Sequence, residues 1–136
     1  MRTLLSLLVL APASARAQSI SGWRPTQAQV YEIEKAIKLP ADANGPPSHY
    51  ERYYAGATRG EHRLIIGEYA DFALSPEAGE RLKRGRAESH VVRERELPAI
   101  ADGGYGLIYF TYDPAIKRFE EVSCNPALHV PPPHKD

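Results

Sequence analysis

Residues 49–57 and 62–70 are two runs rich in Tyr and aliphatic side chains, joined by residues 58–61, which centre on Arg59-Gly60. Aromatic and β-branched residues suit a pleated, half-buried surface, and a Gly-containing break between two such runs reads as a hairpin. The pattern repeats near the end of the chain. Residues 107–112 form a strong strand pattern, Asp113-Pro114 opens a turn over 113–117, and residues 118–124 return. A further strand over 87–93 centres on Val91-Val92. With 136 residues in all, the chain has room for one such sheet and not for two ordinary domains.

Helical signals flank the first hairpin. Thr26 and Gln29 make a T-x-x-Q capping box, in which each side chain takes up an amide the helix leaves unpaired. Val30, Ile33 and Ile37 follow at helical spacing, so a helix is predicted over 26–38 with these three facing the sheet. Glu32, Glu34, Lys35 and Lys38 are expected to face water, and Pro40 to end the helix. Residues 39–48, containing Asn44-Gly45-Pro46-Pro47, read as loop. Ser75-Pro76-Glu77 has the order of a helix start, but Gly79 and Gly85 make this second helix short. The expected fold is α+β, with one N-terminal helix packed on a curved antiparallel sheet of four to five strands.

That element order resembles cystatin-like and NTF2-like domains. The run from about 50 to 125 also resembles small secreted bacterial proteins of unknown function. It does so through Tyr53-Tyr54-Ala55-Gly56, Asp102-Gly103-Gly104 before a strand, and Tyr112-Asp113 followed by Ser123-Cys124-Asn125. The resemblance implies a Cys at the position Tyr105 holds, so the chain lacks a partner for Cys124. It implies no activity.

The start of the chain has the layout of a secretory signal peptide. Arg2 precedes an apolar run over 4–10, and Ala15-Arg16-Ala17 offers small residues where a signal peptidase reads. Cleavage after Ala17 would leave a mature chain from Gln18, with a domain over 18–125 and a Pro-rich tail over 126–136. The apolar run is far below the roughly 20 residues of a membrane span, and no other run is longer. The expected location is therefore the periplasm or the exterior, with no transmembrane segment in the mature chain. No Cys stands at the cleavage point for lipidation, and no twin-Arg pair precedes it.

Lys+Arg and Asp+Glu both count 17, which argues against nucleic-acid binding driven by net charge. The nucleophile and metalloprotease patterns G-x-S-x-G, H-E-x-x-H and S-x-x-K are missing. Asp102 to Gly106 is Gly-rich but leads into a strand pattern, not into the helix a phosphate loop needs. Tyr50, Tyr54, Tyr69 and Tyr109 are the candidates for lining a ligand pocket, against the reading that they are core rings. Arg81, Lys83, Arg84 and Arg86 are the candidates for meeting an anionic surface, against that of a solvated charged face. His129, His134 and Asp136 match no standard ligand spacing, so neither metal nor cofactor is expected. Opposed positions in the last hairpin should sum to 229–231, which sets the single Cys124 across from Tyr105, Gly106 or Leu107 as a covered, slow thiol. The sequence is thus read as an exported, non-enzymatic domain that binds a ligand or a protein partner. The alternatives are a small periplasmic enzyme with a Tyr/His/Asp site in the sheet cavity and an envelope protein that binds anionic surfaces.

Overall fold

The computed structural model describes residues 22–98 and 106–124. The segment read as a signal peptide, Asp102 to Tyr105 and the tail with His129, His134 and Asp136 lie outside them. The architecture is α+β. Helix α1 (Gln27–Ala36) precedes strands β1 (Glu51–Arg59) and β2 (His62–Ala70), then helix α2 (Pro76–Lys83), β3 (Ser89–Arg93), β4 (Leu107–Asp113) and β5 (Arg118–Cys124). The five strands form one sheet in the order β3-β1-β2-β4-β5.

Local chemistry explains the ends of these elements. The Thr26 hydroxyl accepts from the Gln29 amide at 3.2 Å, and the Gln29 side chain accepts from the Thr26 amide at 2.9 Å. Ser75 caps α2 by accepting from the Ala78 amide, with Pro76 at the first helical position. α1 ends at Ala36, and Ile37 is already extended with ψ 132°. The helix is thus shorter than the predicted 26–38, and Ile37 reaches the core from the chain beyond it. Arg59 pairs with His62, so Gly60 and Glu61 alone turn the first hairpin. Gly60 has φ +63°, the conformation that the leading position of a two-residue hairpin loop requires.

Two expectations are corrected. The sheet is mixed, because β3 runs parallel to β1. β2 ends beside the start of β1, and the link through α2 delivers the chain at that same end, where Ser89 pairs with Arg52. A strand leaving from there can only run alongside β1. The short second helix expected from Ser75-Pro76-Glu77 is present as α2.

The last hairpin is also out of the expected register. Asp113 pairs with Arg118 and Tyr112 with Phe119, but a bulge between Thr111 and Tyr112 then shifts the ladder. Cys124 therefore lies across from Ile108, one position beyond the predicted window. The extra residue in β5 lets Phe119 and Val122 both pack on the core, which strict alternation would forbid.

That core lies between α1 and one face of the sheet. Val30 and Ile33 of α1 meet Tyr50, Tyr54, Ile65, Tyr69, Ile108, Phe110 and Tyr112. Gly67 leaves the space filled by the Phe110 ring. Trp23 closes one end, donating its indole N–H to the Ala57 carbonyl at 3.1 Å over Gly56.

Candidate functional site

The two faces of the sheet hold polar groups of opposite character. On the α1 face the buried side-chain polar atoms of the described residues are paired. The Tyr54 hydroxyl donates to Glu34 at 2.7 Å and lies 2.7 Å from the Tyr69 hydroxyl. Arg52 donates to Glu34 at 2.8 Å and to the carbonyls of Pro47 and Tyr50. The Tyr50 hydroxyl accepts from the Asn44 amide at 2.6 Å. Glu34, expected to face water, turns inward because these donors await it. Burial pushes the Tyr54 and Tyr69 phenols far up, so both stay protonated.

Of the four candidate pocket tyrosines, Tyr50, Tyr54 and Tyr69 are fully buried rings of this core. Tyr109 is on the opposite face. The structure does not bring the four together.

The opposite face carries a continuous row across all five strands. His90 pairs with Tyr53, Tyr53 with Glu68, Glu68 with Tyr109, and Tyr109 with Ser123. Directly opposed residues point to the same side, so these five side chains stand next to one another. All are half-exposed. The His90 ring stacks on Tyr53 at 4.9 Å and 19°.

Glu51 and Glu68 are the two acids at the β1 and β2 part of this face, and they are treated differently. Glu51 is fully buried, and Arg81 from α2 donates to its Oε1. Its Oε2 accepts from the Glu88 amide at 2.9 Å and from His90 Nε2 at 3.1 Å. Burial opposes ionisation there, but the Glu88 amide, Arg81 and His90 outweigh it and hold the carboxyl below its ordinary value. Glu68 has no such help. Its Oε2 is buried without a hydrogen-bond partner among the described residues. Burial pushes its carboxyl up to about 7. Tyr109 is raised by its own burial and then by Glu121 and Glu68, against an opposing pull from Arg59.

The basic candidates are mostly engaged. Arg81 belongs to the Glu51 cluster, and Lys83 and Arg84 lie 3.6 and 4.0 Å from Glu80. Arg86 is exposed at the end of α2. A separate cavity of about 440 Å³ is lined, among the described residues, by Gly22, Arg93, Glu94 and Arg95. No group of His, Cys, Asp or Glu among the described residues could hold a metal ion. No described helix is long and apolar enough to cross a membrane.

Sequence reasoning did not single out Tyr53 or Glu68. The signal was present in part, since alternation put Tyr53 on the face opposite Tyr50 and Tyr54. The first hairpin's register then brings Glu68 beside it. Comparison with known proteins finds no matching family model, no matching curated protein and no matching solved structure.

Proposed function

We propose that this chain is an exported, non-enzymatic domain that binds a small ligand on the sheet face of Tyr53, Glu68 and Tyr109. The observation that carries this reading is the buried, unpartnered oxygen of Glu68. An unmade hydrogen bond at a buried acid costs about 1–3 kcal/mol or more, and a ligand that supplies the missing partner recovers it. Two phenol rings flank that oxygen along the ladder and offer apolar walls to the same ligand. Nuclear magnetic resonance with a library of small aromatic and aliphatic fragments tests it. Binders should shift the resonances of Tyr53, Glu68 and Tyr109, and Glu68→Gln should weaken them. Binders that perturb only the α2 end or the 440 Å³ cavity would overturn the assignment.

A small enzyme is the second reading, and the Glu51–His90 pair favours it. A buried carboxylate that accepts from Nε2 leaves Nδ1 of His90 as the remaining nitrogen for a proton acceptor. His90→Gln should then abolish turnover while leaving ligand binding at Glu68 intact.

Export rests on the apolar run and the Ala15-Arg16-Ala17 site. N-terminal sequencing of the exported product should begin at Gln18, and Met1 retained on a cytoplasmic product would refute it. Sheet curvature of the cystatin-like or NTF2-like kind is supported by the bulge in β5, since bulges bend the strand that carries them.

A further inference from the structure

We infer that the cavity at the end of β3 takes a small organic anion, whose phosphate or carboxylate head is held by Arg93 and Arg95. This site stands apart from the Glu68 row, and its test reads different residues.

The parallel pairing of β3 with β1 builds it. Arg93, the last residue of β3, pairs with Gly56, and Glu94 then reaches Arg59, the last residue of β1. The cavity of about 440 Å³ opens here, lined among the described residues by Gly22, Arg93, Glu94 and Arg95. Three of these four carry charge, and they are treated differently. Glu94 accepts from Arg59 Nη2 at 2.5 Å, so its charge is met by a residue that does not line the cavity. Arg93 and Arg95 are exposed, and among the described residues neither has an acid within ion-pair reach.

A guanidinium donates and cannot accept, so the group that satisfies this pair must be an acceptor. An oxyanion suits it best, because phosphate and carboxylate oxygens match the planar fork of arginine and bring the opposite charge. The surrounding charges do not cancel the attraction. Arg63 lies over the Trp23 ring at 5.5 Å, and Arg24 follows Trp23 in the chain. These two offset Glu61 and Glu96, and Glu96 already accepts from the Arg93 amide at 3.1 Å. An excess of two positive charges remains, and both line the cavity.

Arg93 is also partly ordered before a ligand arrives. Its amide is held by Glu96, and its stem passes 3.8 Å from the space beside Gly22. Less side-chain freedom is then lost on binding. The volume exceeds that of a bare ion and falls within the roughly 300–1,000 Å³ of small-molecule sites, so the head group is expected to carry an organic body.

The test uses nuclear magnetic resonance on the full chain with three probes of similar shape: phenyl phosphate, benzoate and benzyl alcohol. At least one of the two anions should shift the side-chain N–H resonances of Arg93 and Arg95 and the Gly22 amide. It should bind at least about fivefold tighter than benzyl alcohol, and weaken as salt is raised. Phenyl phosphate as the tighter anion names a phosphate head, and benzoate a carboxylate. Arg93→Gln and Arg95→Gln should each weaken binding about threefold or more, whereas Arg118→Gln, which removes the same charge from the far edge of the sheet, should preserve it. Arg59→Gln should also weaken binding, by freeing Glu94 to compete for the two arginines. Adding Glu94→Gln to that variant should restore it, which a purely structural role for Arg59 would not allow. If benzyl alcohol binds as tightly as both anions, or if neither anion perturbs Arg93 and Arg95, the site is overturned. If Arg118→Gln weakens binding as much as Arg93→Gln, the anion responds only to the charge of the whole chain, and the site is overturned likewise.

Discussion

The hydroxyls of Tyr54 and Tyr69 lie 2.7 Å apart in the layer between α1 and the sheet. Glu34 accepts the Tyr54 proton, so the Tyr69 hydroxyl must donate to Tyr54. The bonds run in one direction, from Tyr69 through Tyr54 to the Glu34 carboxylate, and each ring is fully buried. α1 is thereby fastened to β1 and β2 by polar contacts as well as by Val30 and Ile33.

Direction makes the two tyrosines unequal. Tyr54→Phe removes the acceptor for Tyr69 and one donor to Glu34, and should cost about 2–3 kcal/mol. Tyr69→Phe leaves the Tyr54–Glu34 bond intact and should cost about 1 kcal/mol. The double variant should cost less than the sum, because both singles break the same bond. Urea unfolding of the three variants measures this, and equal single costs would contradict the direction of donation.

Glu68 should make stability fall as the pH rises. Its carboxyl has a folded value of about 7 against an ordinary value of 4.5. A raised carboxyl favours the protonated fold, so nothing is lost below about 4.5, and the full penalty is present above about 7. Glu68→Gln removes the titration. It should leave stability at pH 4 nearly unchanged and raise it by up to about 3 kcal/mol at pH 8. Denaturant titrations at the two pH values check the difference, which should grow between them.

Gly67 faces the Phe110 ring, and a Cβ there would overlap it. Gly67→Ala should destabilise by about 1–3 kcal/mol through overpacking, even though alanine suits a strand no worse. Gly67→Ala combined with Phe110→Leu should recover part of that loss in thermal unfolding. Absence of any recovery would locate the strain elsewhere.

Cys124 should react slowly while the protein is folded. Burial first, and then the Asp42 carboxylate, push its thiol up, so the reactive thiolate is scarce at neutral pH. Labelling with a thiol reagent at pH 7.5 should be at least several-fold slower than for the unfolded chain. Asp42→Asn should narrow that gap slightly. A native rate equal to the unfolded one would remove the covered position beside the core.

The sequence by itself determined the elements whose chemistry is local. The Thr26–Gln29 box, the Ser75-Pro76 start, the Gly60 turn and the runs on either side of Asp113-Pro114 each act within a few residues. Their structures follow from bonds the segment makes to itself. Tertiary structure decided what depends on distant neighbours. β3 joined the sheet parallel to β1 because α2 returned the chain to the end where β1 begins. Glu34 turned inward because Arg52 and Tyr54, far along the chain, present donors to it. The bulge moved Cys124 opposite Ile108 so that Phe119 and Val122 could both be buried. Glu51 and Glu68 are both glutamates in hairpin strands. One is ionised among three donors and the other holds a proton to about neutral pH, because only the packing of strand on strand fixes which groups stand beside each.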